Sequence, residues 1–324
     1  ISRQLWWGHQ IPAWYCNDCG EVTVTRDPEL KACCKCGSAN VRQDDDVLDT
    51  WFSSALWPFS TLGWPEPTDT LKKFYPASDM ETGYDILFFW VARMMMMGLH
   101  FMGDVPFRRV LLAGLLVDEG GVKMSKVKGN VIDPLDIIHG ASFEEIANKT
   151  LPGAPLEESL AKFKKAYPSA ATLGTGFPAF GTDALRFTLG SYAPSAKRIA
   201  LAPRRIEGYR HFCNKMWNAV RFTKPYLDGV NPTEEPPAAT LLANRWILAQ
   251  LAEAVAEAST KLDEYRLDEA TQALYRFFWT DLCDWFLELT KPVLNGPDSP
   301  ERRETQQVLV YALDVAFRAL HPFA

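Results

Sequence analysis

The sequence lacks an excess of positive charge: its 324 residues carry a formal net charge of -6 at pH 7. A protein with this balance has no overall basic field to attract nucleic acid, so RNA binding must come from local patches. A long hydrophobic run is also missing. The most apolar stretch, residues 86–98, falls short of the ~20 residues that a membrane span needs and contains Arg93. We therefore predict no membrane association and interpret this stretch as a core helix, with Met94 to Met97 as adaptable fillers.

No targeting segment opens the sequence, and no repeat of solenoid period runs through it. The chain starts at Ile1 rather than methionine and ends at Ala324, directly after a helix-like apolar pattern. Both ends suggest a piece of a longer protein. The length allows two or three domains with their own cores. We expect a cytoplasmic protein that is a monomer.

Cysteine is concentrated in one short segment, which holds five of the seven. Cys16 and Cys19 form one Cys-x2-Cys pair, and Cys33 and Cys36 form a second. Four thiolates at this spacing suit tetrahedral Zn²⁺, and four cysteine ligands leave no open position for catalysis. Cys34 is a poorer ligand than Cys33 because Cys34-x-Cys36 would be a tight bite. The pattern predicts a structural zinc site; disulfides are the alternative, which a reducing compartment disfavours.

A lysine-rich segment follows the apolar run at residues 110–117. It reads Gly-Gly-Val-Lys-Met-Ser-Lys-Val-Lys-Gly-Asn and places Lys123, Lys126 and Lys128 between glycines. Glycines let a backbone lie close to a ligand, and lysines are compact charges suited to phosphate. The Ser125 hydroxyl can donate to a phosphate oxygen. The segment therefore indicates a phosphate-binding loop, with a solvated basic loop as the alternative.

The pattern around this loop indicates a βαβ unit. Residues 74–82 and 109–117 are predicted to be buried parallel strands, and residues 84–98 the helix that connects them. Ligands of such sheets bind at the carboxyl ends of the strands, and the lysine-rich segment leaves one of those ends. The predicted fold class is therefore α/β plus all-α, in which the second half of a Rossmann-type parallel sheet precedes a helical bundle.

The bundle is predicted from helical apolar stripes at residues 210–222, 241–265, 267–290 and 308–320. Residues 183–224, at its start, carry nine lysines and arginines but only two acidic residues. Such a local excess in an acidic protein fits a surface that follows an RNA backbone, with a solvated helix as the alternative.

Several short motifs in the sequence resemble those of a known family. Lys123–Lys126 resembles the KMSKS signature of class I aminoacyl-tRNA synthetases, although Val127 stands where the family has serine. Within that class, similarity to the valyl-tRNA synthetase family covers nearly the whole chain, at residues 1–15, 46–64, 82–90 and 181–189. The resemblance implies that an amino-terminal half with the HIGH signature, and an editing domain, lie outside this sequence, which has no His-Ile-Gly-His.

The resemblance also implies roles for individual residues. Trp51 and Ile86 would form the wall of a valine side-chain pocket, with Asp85 beside it accepting from an ammonium or hydroxyl group. Lys126 and Lys123 would be the catalytic residues. The implied ATP-binding residues are Gly83, Gly114, Lys123, Ser125 and Lys126. The implied tRNA-binding residues are Arg204, Arg205, Arg210, Asn214, Lys215, Trp217 and Asn218.

The implied reaction joins valine to ATP, with Mg²⁺, and then passes valine to the 3′ end of tRNA(Val). Charge that develops on the phosphates would be met by Lys126, while Lys123 shapes the loop. By itself this sequence is expected to be inactive, because half of the catalytic domain is missing. The alternative is a non-catalytic tRNA-binding module derived from such an enzyme, and ATP binding would separate the two.

We predict five regions along the chain. These are a connective segment with the zinc site (1–65), the second half of the catalytic domain with the lysine loop (66–138), a surface insertion (139–181), a basic connecting region (182–208) and a truncated helical anticodon-binding domain (209–324).

Overall fold

The structure is a computed structural model that describes residues 6–125, 128–150, 153–169, 174, 176–192, 194 and 196–324. The chain divides into two compact units, Ile1–Ala113 and Gly114–Ala324. Lys126 and Val127 of the lysine-rich segment lie outside the described residues.

The first unit opens with a small antiparallel sheet in the order β2-β1-β3. Its strands are β1 (Ala13–Cys16), β2 (Val22–Val24) and β3 (Val41–Gln43). Two short helices follow, α1 (Thr50–Ser60) and α2 (Asp69–Phe74). Side chains cap both helices: Asp49 accepts from the Trp51 N–H, and Thr68 accepts from the Leu71 N–H. These caps satisfy N–H groups that a first helical turn leaves without partners.

A parallel strand pair completes this unit. Strand β4 (Ala77–Gly83) pairs with β5 (Phe107–Ala113) along their whole length. Most of the connection is helical: a 3₁₀ turn at Tyr84–Ile86, a π turn at Leu87–Val91 and helix α3 at Ala92–Met102. The predicted parallel strands and connecting helix are therefore confirmed.

The prediction of one buried strand over residues 109–117 is wrong. Strand β5 ends at Ala113, and after Gly114 a separate strand, β6 (Leu115–Val117), begins. Strand β6 pairs in parallel with β9 (Arg198–Ala200), which also belongs to the second unit. A Cβ at Gly114 would lie 2.3 Å from the Ala196 carbonyl oxygen, so a side chain cannot fit. The strands are also less buried than predicted, since Leu112 of β5 is 44% exposed.

The prediction of a buried core helix is wrong as well. Tyr84–Met102 is long and apolar enough, by length and composition alone, to cross a membrane, yet only 17% of its most apolar window is buried. Met94 is fully buried, whereas Met95 and Met96 are 38% and 66% exposed. The helix packs on a two-stranded sheet and on α1, and such a small support covers only one of its faces.

The second unit begins with a helical region that includes the predicted surface insertion. Its elements are α4 (Pro134–His139), β7 (Ala141–Ser142), α5 (Phe143–Thr150), α6 (Leu156–Ala166), β8 (Gly176–Phe177) and α7 (Thr182–Gly190). The short strands β7 and β8 pair antiparallel. Aromatic side chains from this interval form a buried core: Phe143, Phe163, Tyr167, Phe177 and Phe180. The interval is therefore a packed part of the fold, which its Gly-, Ala-, Pro- and Lys-rich composition concealed.

A helical bundle follows, and it confirms the predicted all-α part. Its helices are α8 (Pro203–Thr223), α9 (Leu242–Asp263), α10 (Leu267–Arg276), α11 (Leu287–Leu294) and α12 (Pro300–Leu320). A 3₁₀ turn at Lys224–Tyr226 follows α8, and a π-helical segment at Phe277–Phe286 joins α10 to α11. Pro292 lies inside α11, two residues before that helix ends.

Candidate functional site

The four cysteines of the two Cys-x2-Cys pairs lie together. The sulfur atoms of Cys16, Cys19, Cys33 and Cys36 all lie within 4.8 Å of one another. Cys16 to Cys36 and Cys19 to Cys33 are each 3.6 Å apart, too long for a disulfide bond of about 2.05 Å. Four thiols in one cluster fit the tetrahedral ligand set that Zn²⁺ prefers.

Two matching turns build this cluster. Gly20 and Gly37 each have a φ of +73°, and each N–H donates to the carbonyl of the cysteine four residues earlier, at 2.9 and 3.0 Å. Positive φ favours glycine, which explains the glycine after each pair. The N–H groups of Cys36 and Lys35 donate to the Cys33 sulfur and lower the pKa of that thiol to about 6. Donors of this kind stabilise the thiolate, which is the form that binds a metal.

Cys34 stands apart from the cluster, as the sequence predicted. Its side chain is exposed, and its sulfur lies 3.2 Å from the Thr23 hydroxyl oxygen. The neighbouring Cys33 is buried and faces the other three sulfurs. The geometry therefore places Cys33, and not Cys34, in the cluster of four sulfurs.

Trp51 lies at the first turn of α1 in a small aromatic and charged cluster. Its ring stacks on Phe89 with centroids 6.0 Å apart, and the Arg93 guanidinium lies 5.6 Å from the same Phe89 ring. Arg93 also approaches the buried Asp49 carboxylate at 3.9 Å. Trp51 is thus held half-buried against the segment that follows Ile86, which gives one apolar wall in the first unit.

Gly83 and Asp85 lie at the carboxyl end of β4, where a parallel sheet binds its ligands. A Cβ at Gly83 would lie only 2.7 Å from Asp85 Oδ1, so this carboxylate occupies the space beside the glycine. Ile86 is half-buried in the next turn, while Asp85 is exposed. Ile86 of the predicted wall and the predicted carboxylate, Asp85, are therefore adjacent in the turn that follows β4.

The lysine loop leaves β6 through a tight turn. Asp118 is buried, and its carboxylate accepts from the Val122 N–H at 2.8 Å. The Gly121 N–H donates to the Asp118 carbonyl at 2.9 Å, with a φ of +76° at Gly121. Lys123 then forms an antiparallel bridge with Val117, which fixes its backbone beside the strand. The positive φ explains why glycine stands at position 121, two residues before Lys123.

Asn130 closes the loop at its other end. Its side-chain amide donates to Asp118 Oδ2 at 2.8 Å and to the Lys123 carbonyl at 3.3 Å, and its oxygen accepts from the Ser125 N–H at 2.9 Å. Both Asp118 and Asn130 are buried. Sequence reasoning missed these two residues, although Asn130 lies only two positions after Lys128. Lys123 is exposed and Ser125 half-buried on this frame; the predicted catalytic Lys126 lies outside the described residues.

The predicted tRNA-binding residues all lie on α8 and fall into two groups. Arg204, Asn214, Trp217 and Asn218 are exposed, and the Trp217 side chain is 67% exposed. Asn214, Trp217 and Asn218 are spaced by three and four residues, so they share one face of α8. An exposed indole between amides can stack on a base and bond to its edge.

The second group is already engaged within the protein. Lys215 Nζ lies 2.5 Å from Asp284 and 3.9 Å from the centroid of the Trp279 ring. Arg205 donates to the Ser191 carbonyl at 3.0 Å and stacks over Tyr192. Arg210 is half-buried. Sequence alone did not predict these partners, because they come from other helices.

Comparison with known proteins defines the class. The family model of class I tRNA synthetases (I, L, M and V) matches residues 1–202, and the chain belongs to that family. The model of the anticodon-binding domain of tRNA ligases matches residues 244–324. The predicted class and the helical anticodon-binding region are therefore confirmed.

The similar curated proteins belong to a narrower group than this class: they are valine–tRNA ligases. The enzyme of Geobacter sulfurreducens is 48% identical over 100% of this chain and 32% of its own length. That of Chromobacterium violaceum is 47% identical over 99% of this chain and 34% of its own length. The resemblance to the valyl-tRNA synthetases is confirmed, and the chain spans about a third of the length of the curated relatives it matches.

Solved structures share the fold at low identity. The Agrobacterium radiobacter K84 LeuRS, in a ternary complex with tRNA and LeuAMS, aligns with a TM-score of 0.68 at 18% identity, covering 98% of this chain and 39% of that one. The Mycobacterium tuberculosis methionyl-tRNA synthetase bound to methionyl-adenylate gives 0.61 at 19% identity, covering 87% and 49%. This likeness supports the class I synthetase fold, with its parallel sheet and helical bundle.

Proposed function

We propose that this chain is part of a valine–tRNA ligase, to which it supplies the lysine loop, a wall of the valine pocket and the tRNA-binding bundle. The observation that carries the proposal is the 48% identity with a valine–tRNA ligase over the full length of the chain. The proposed enzyme is a cytoplasmic monomer. Its proposed regions are those predicted from the sequence, except that residues 139–181 are a packed part of the fold rather than a surface insertion.

The proposed reaction has two steps. A carboxylate oxygen of valine attacks the α-phosphorus of ATP, which forms the mixed anhydride valyl-adenylate and breaks the bond to pyrophosphate, with Mg²⁺ bound to the nucleotide. A terminal ribose hydroxyl of tRNA(Val) then attacks the valyl carbonyl and AMP leaves. Negative charge moves onto the leaving pyrophosphate in the first step, so fixed cations lower its barrier.

In this proposal the lysine loop meets that charge. Lys123 follows a backbone that is anchored to Val117 and to Asn130, so the loop begins from a fixed point. Lys126 is the proposed principal cation, and Ser125 with Gly83 and Gly114 completes the ATP-binding set.

Trp51 and Ile86 are proposed to select valine, with Asp85 accepting from the substrate ammonium group. A stacked indole is rigid, because its contact with Phe89 restricts its rotation. Such an apolar slot excludes one extra methylene by ~1–3 kcal/mol but cannot strongly reject an isostere that bears a hydroxyl. Because such isosteres would be activated, a separate step that hydrolyses the wrong products is needed.

The bundle is proposed to bind tRNA(Val). Asn214, Trp217 and Asn218 offer an exposed face for bases, and Arg204, Arg205 and Arg210 offer charge for the backbone. Lys215 belongs to the same helix but is paired with Asp284, so its proposed role requires exchange of partners. The four cysteines would hold a structural Zn²⁺ that fixes the β1–β3 segment.

The experiment is valine-dependent exchange between ATP and pyrophosphate by the complete protein that contains this chain, followed by charging of tRNA(Val). We expect exchange with valine well above that with leucine. A protein that binds tRNA(Val) but neither binds ATP nor catalyses exchange is the tRNA-binding module considered from the sequence, and would refute the proposal.

A further inference from the structure

Tyr167 is a buried residue just beyond α6 that reaches the frame of the lysine loop. Its side chain is fully buried, and its hydroxyl donates to the Asn130 carbonyl at 2.7 Å. The two residues are 37 positions apart in sequence. The interval that the sequence marked as a surface insertion therefore contacts the residue that closes the loop.

Asn130 links three other residues of the turn and the loop. Its side chain bonds at once to Asp118, to the Lys123 carbonyl and to the Ser125 N–H. A shift of its backbone would therefore move both loop residues together. Tyr167 is the group that holds this backbone from outside the loop.

Two further contacts hold the turn before the loop. The Ser169 N–H donates to the Glu119 carboxylate at 2.8 Å, and the Ser169 hydroxyl donates to the other oxygen of that carboxylate. Arg198 of β9 donates to the Gly121 carbonyl at 3.2 Å. Tyr167 and Ser169 are two residues apart, so one short segment bonds to the loop both before it, at Glu119, and at its end, at Asn130.

The Tyr167 ring and its hydroxyl have separate roles. The ring packs against Phe163, with centroids 5.0 Å apart, inside an aromatic core that phenylalanine would fill equally well. Burial, followed by the charges of Asp118 and Glu119, raises the pKa of the hydroxyl far above its ordinary value. The group therefore remains protonated and donates at any working pH.

We propose that Tyr167 is a positioning residue for the lysine loop, which it holds through Asn130 in the conformation that presents Lys123 and Ser125 to the phosphates. The inference rests on the proposed function for its catalytic consequence, whereas the bracing of the loop does not. A loop that is displaced loses transition-state contacts, so the rate should fall without weaker binding of valine.

The test compares Tyr167→Phe with Tyr226→Phe in the complete protein. Tyr226 is a matched control because its hydroxyl also donates one bond, to Asn295 at 2.8 Å, within the bundle. The first measurement is the rate of trypsin cleavage after Lys123 and Lys128 in the folded protein. The second is valyl-adenylate formation in a single turnover, with kcat and the KM for valine determined separately.

Tyr167→Phe should speed cleavage at the loop about tenfold, as expected when one buried hydrogen bond that holds the loop is lost. It should lower kcat by a similar factor and leave the KM for valine unchanged, while Tyr226→Phe behaves as wild type in both. Wild-type cleavage of Tyr167→Phe would overturn the inference. If the complete wild-type protein forms no valyl-adenylate, the proposed function fails, but the cleavage rates still decide the bracing.

A second variant covers the case in which Tyr167→Phe speeds cleavage along the whole chain because it loosens the core. Glu119→Ala releases Ser169 without altering the aromatic core, since Glu119 is half-buried on the loop side. Faster cleavage confined to the loop in this variant supports the bracing. A wild-type rate overturns it.

Discussion

The two units of this chain are stabilised by different means. The first unit has a small core around Val91, Met94 and Phe107, and it leaves Phe88 and Met96 74% and 66% exposed. Its cysteine segment gathers four thiols whose geometry suits a metal. The second unit buries long aromatic and aliphatic clusters of its own, and its loop frame consists of hydrogen bonds between buried side chains.

The contrast shows where each kind of change should act. A change in the first unit should disturb metal binding or the selection of the amino acid, because that unit contains the four cysteines and the apolar wall at Trp51. A change in the second unit should alter the rate of adenylate formation, RNA binding or the pH dependence of stability.

The largest effect is expected at the cysteine cluster. Cys33→Ser should remove one equivalent of zinc and unfold the β1–β3 segment, since a structural zinc site contributes on the order of 10 kcal/mol to folding. Metal analysis after mild purification measures the zinc, and hydrogen exchange measures the folding. Cys34→Ser is the matched control and should keep its zinc. A wild-type protein without zinc would contradict the assignment.

The next effect concerns Lys126, a residue predicted from the signature alone. Lys126→Ala in the complete protein should lower valyl-adenylate formation by ~10²–10³, or ~3–4 kcal/mol, as loss of a charged transition-state contact does. The apparent affinity for ATP should change by less than ~10-fold. Lys128→Ala should do much less, and Val127→Ser should be tolerated. An effect of Lys126→Ala through ATP affinity alone would remove its catalytic role.

A pH effect is expected at Glu304 of the bundle. Although burial opposes its ionisation, hydrogen bonds from Thr240, Asn244 and the Leu241 N–H hold the pKa of Glu304 at about 2. A carboxyl group whose folded pKa is depressed stabilises the fold above its unfolded pKa of 4.5 and loses that contribution as pH falls towards 2.

Glu304→Ala should therefore cost ~2–3 kcal/mol at pH 7, and the difference from wild type should shrink as the pH falls from about 4.5 towards 2. Urea unfolding across that range measures it. Glu253→Ala, which removes an exposed carboxyl group on α9, is the control measured in parallel. A constant difference at all pH values would show that ionisation of Glu304 is not involved.

A smaller effect is expected at Trp51. Trp51→Ala should enlarge the valine slot and raise activation of isoleucine relative to valine by ~10-fold, about 1.4 kcal/mol. Exchange of pyrophosphate with each amino acid measures the ratio. Trp57→Ala is the control, because Trp57 is 57% exposed on the same helix. An unchanged ratio would remove Trp51 from the pocket.

The smallest effect is expected at the basic lead-in to the bundle. Changing Arg204 and Arg205 to Ala should lower the slope of log affinity for tRNA against log salt by about 1–2, since each phosphate contact contributes about one unit. Arg205 already bonds to Ser191, so Arg204→Ala alone should account for much of the change. Arg303→Ala, outside this run, should leave the slope unaltered.

Much of the fold could be predicted from the sequence because its signals are local. Apolar stripes fixed the bundle helices within a few residues at most ends, and the two Cys-x2-Cys pairs identified four sulfurs that do lie together. The lysine-rich motif indicated the class I aminoacyl-tRNA synthetases, which the family model confirms.

What could not be predicted depends on partners distant in sequence. The break at Gly114 arises from the close approach of Ala196, and the closure of the loop arises from Asp118, Asn130 and Tyr167. Periodicity identified the helix at residues 84–102, but it cannot reveal how many neighbours cover that helix. The Lys215 pair with Asp284 likewise requires packing between helices.

The central claim is that the loop in the second unit sets the rate of valine activation while the wall in the first unit sets its selectivity. Single-turnover adenylate formation with valine and with isoleucine, for Lys126→Ala and Trp51→Ala side by side, tests it most directly. Lys126→Ala should slow both amino acids by one common factor, and Trp51→Ala should change their ratio. A changed ratio in Lys126→Ala, together with an unchanged ratio in Trp51→Ala, would contradict the account.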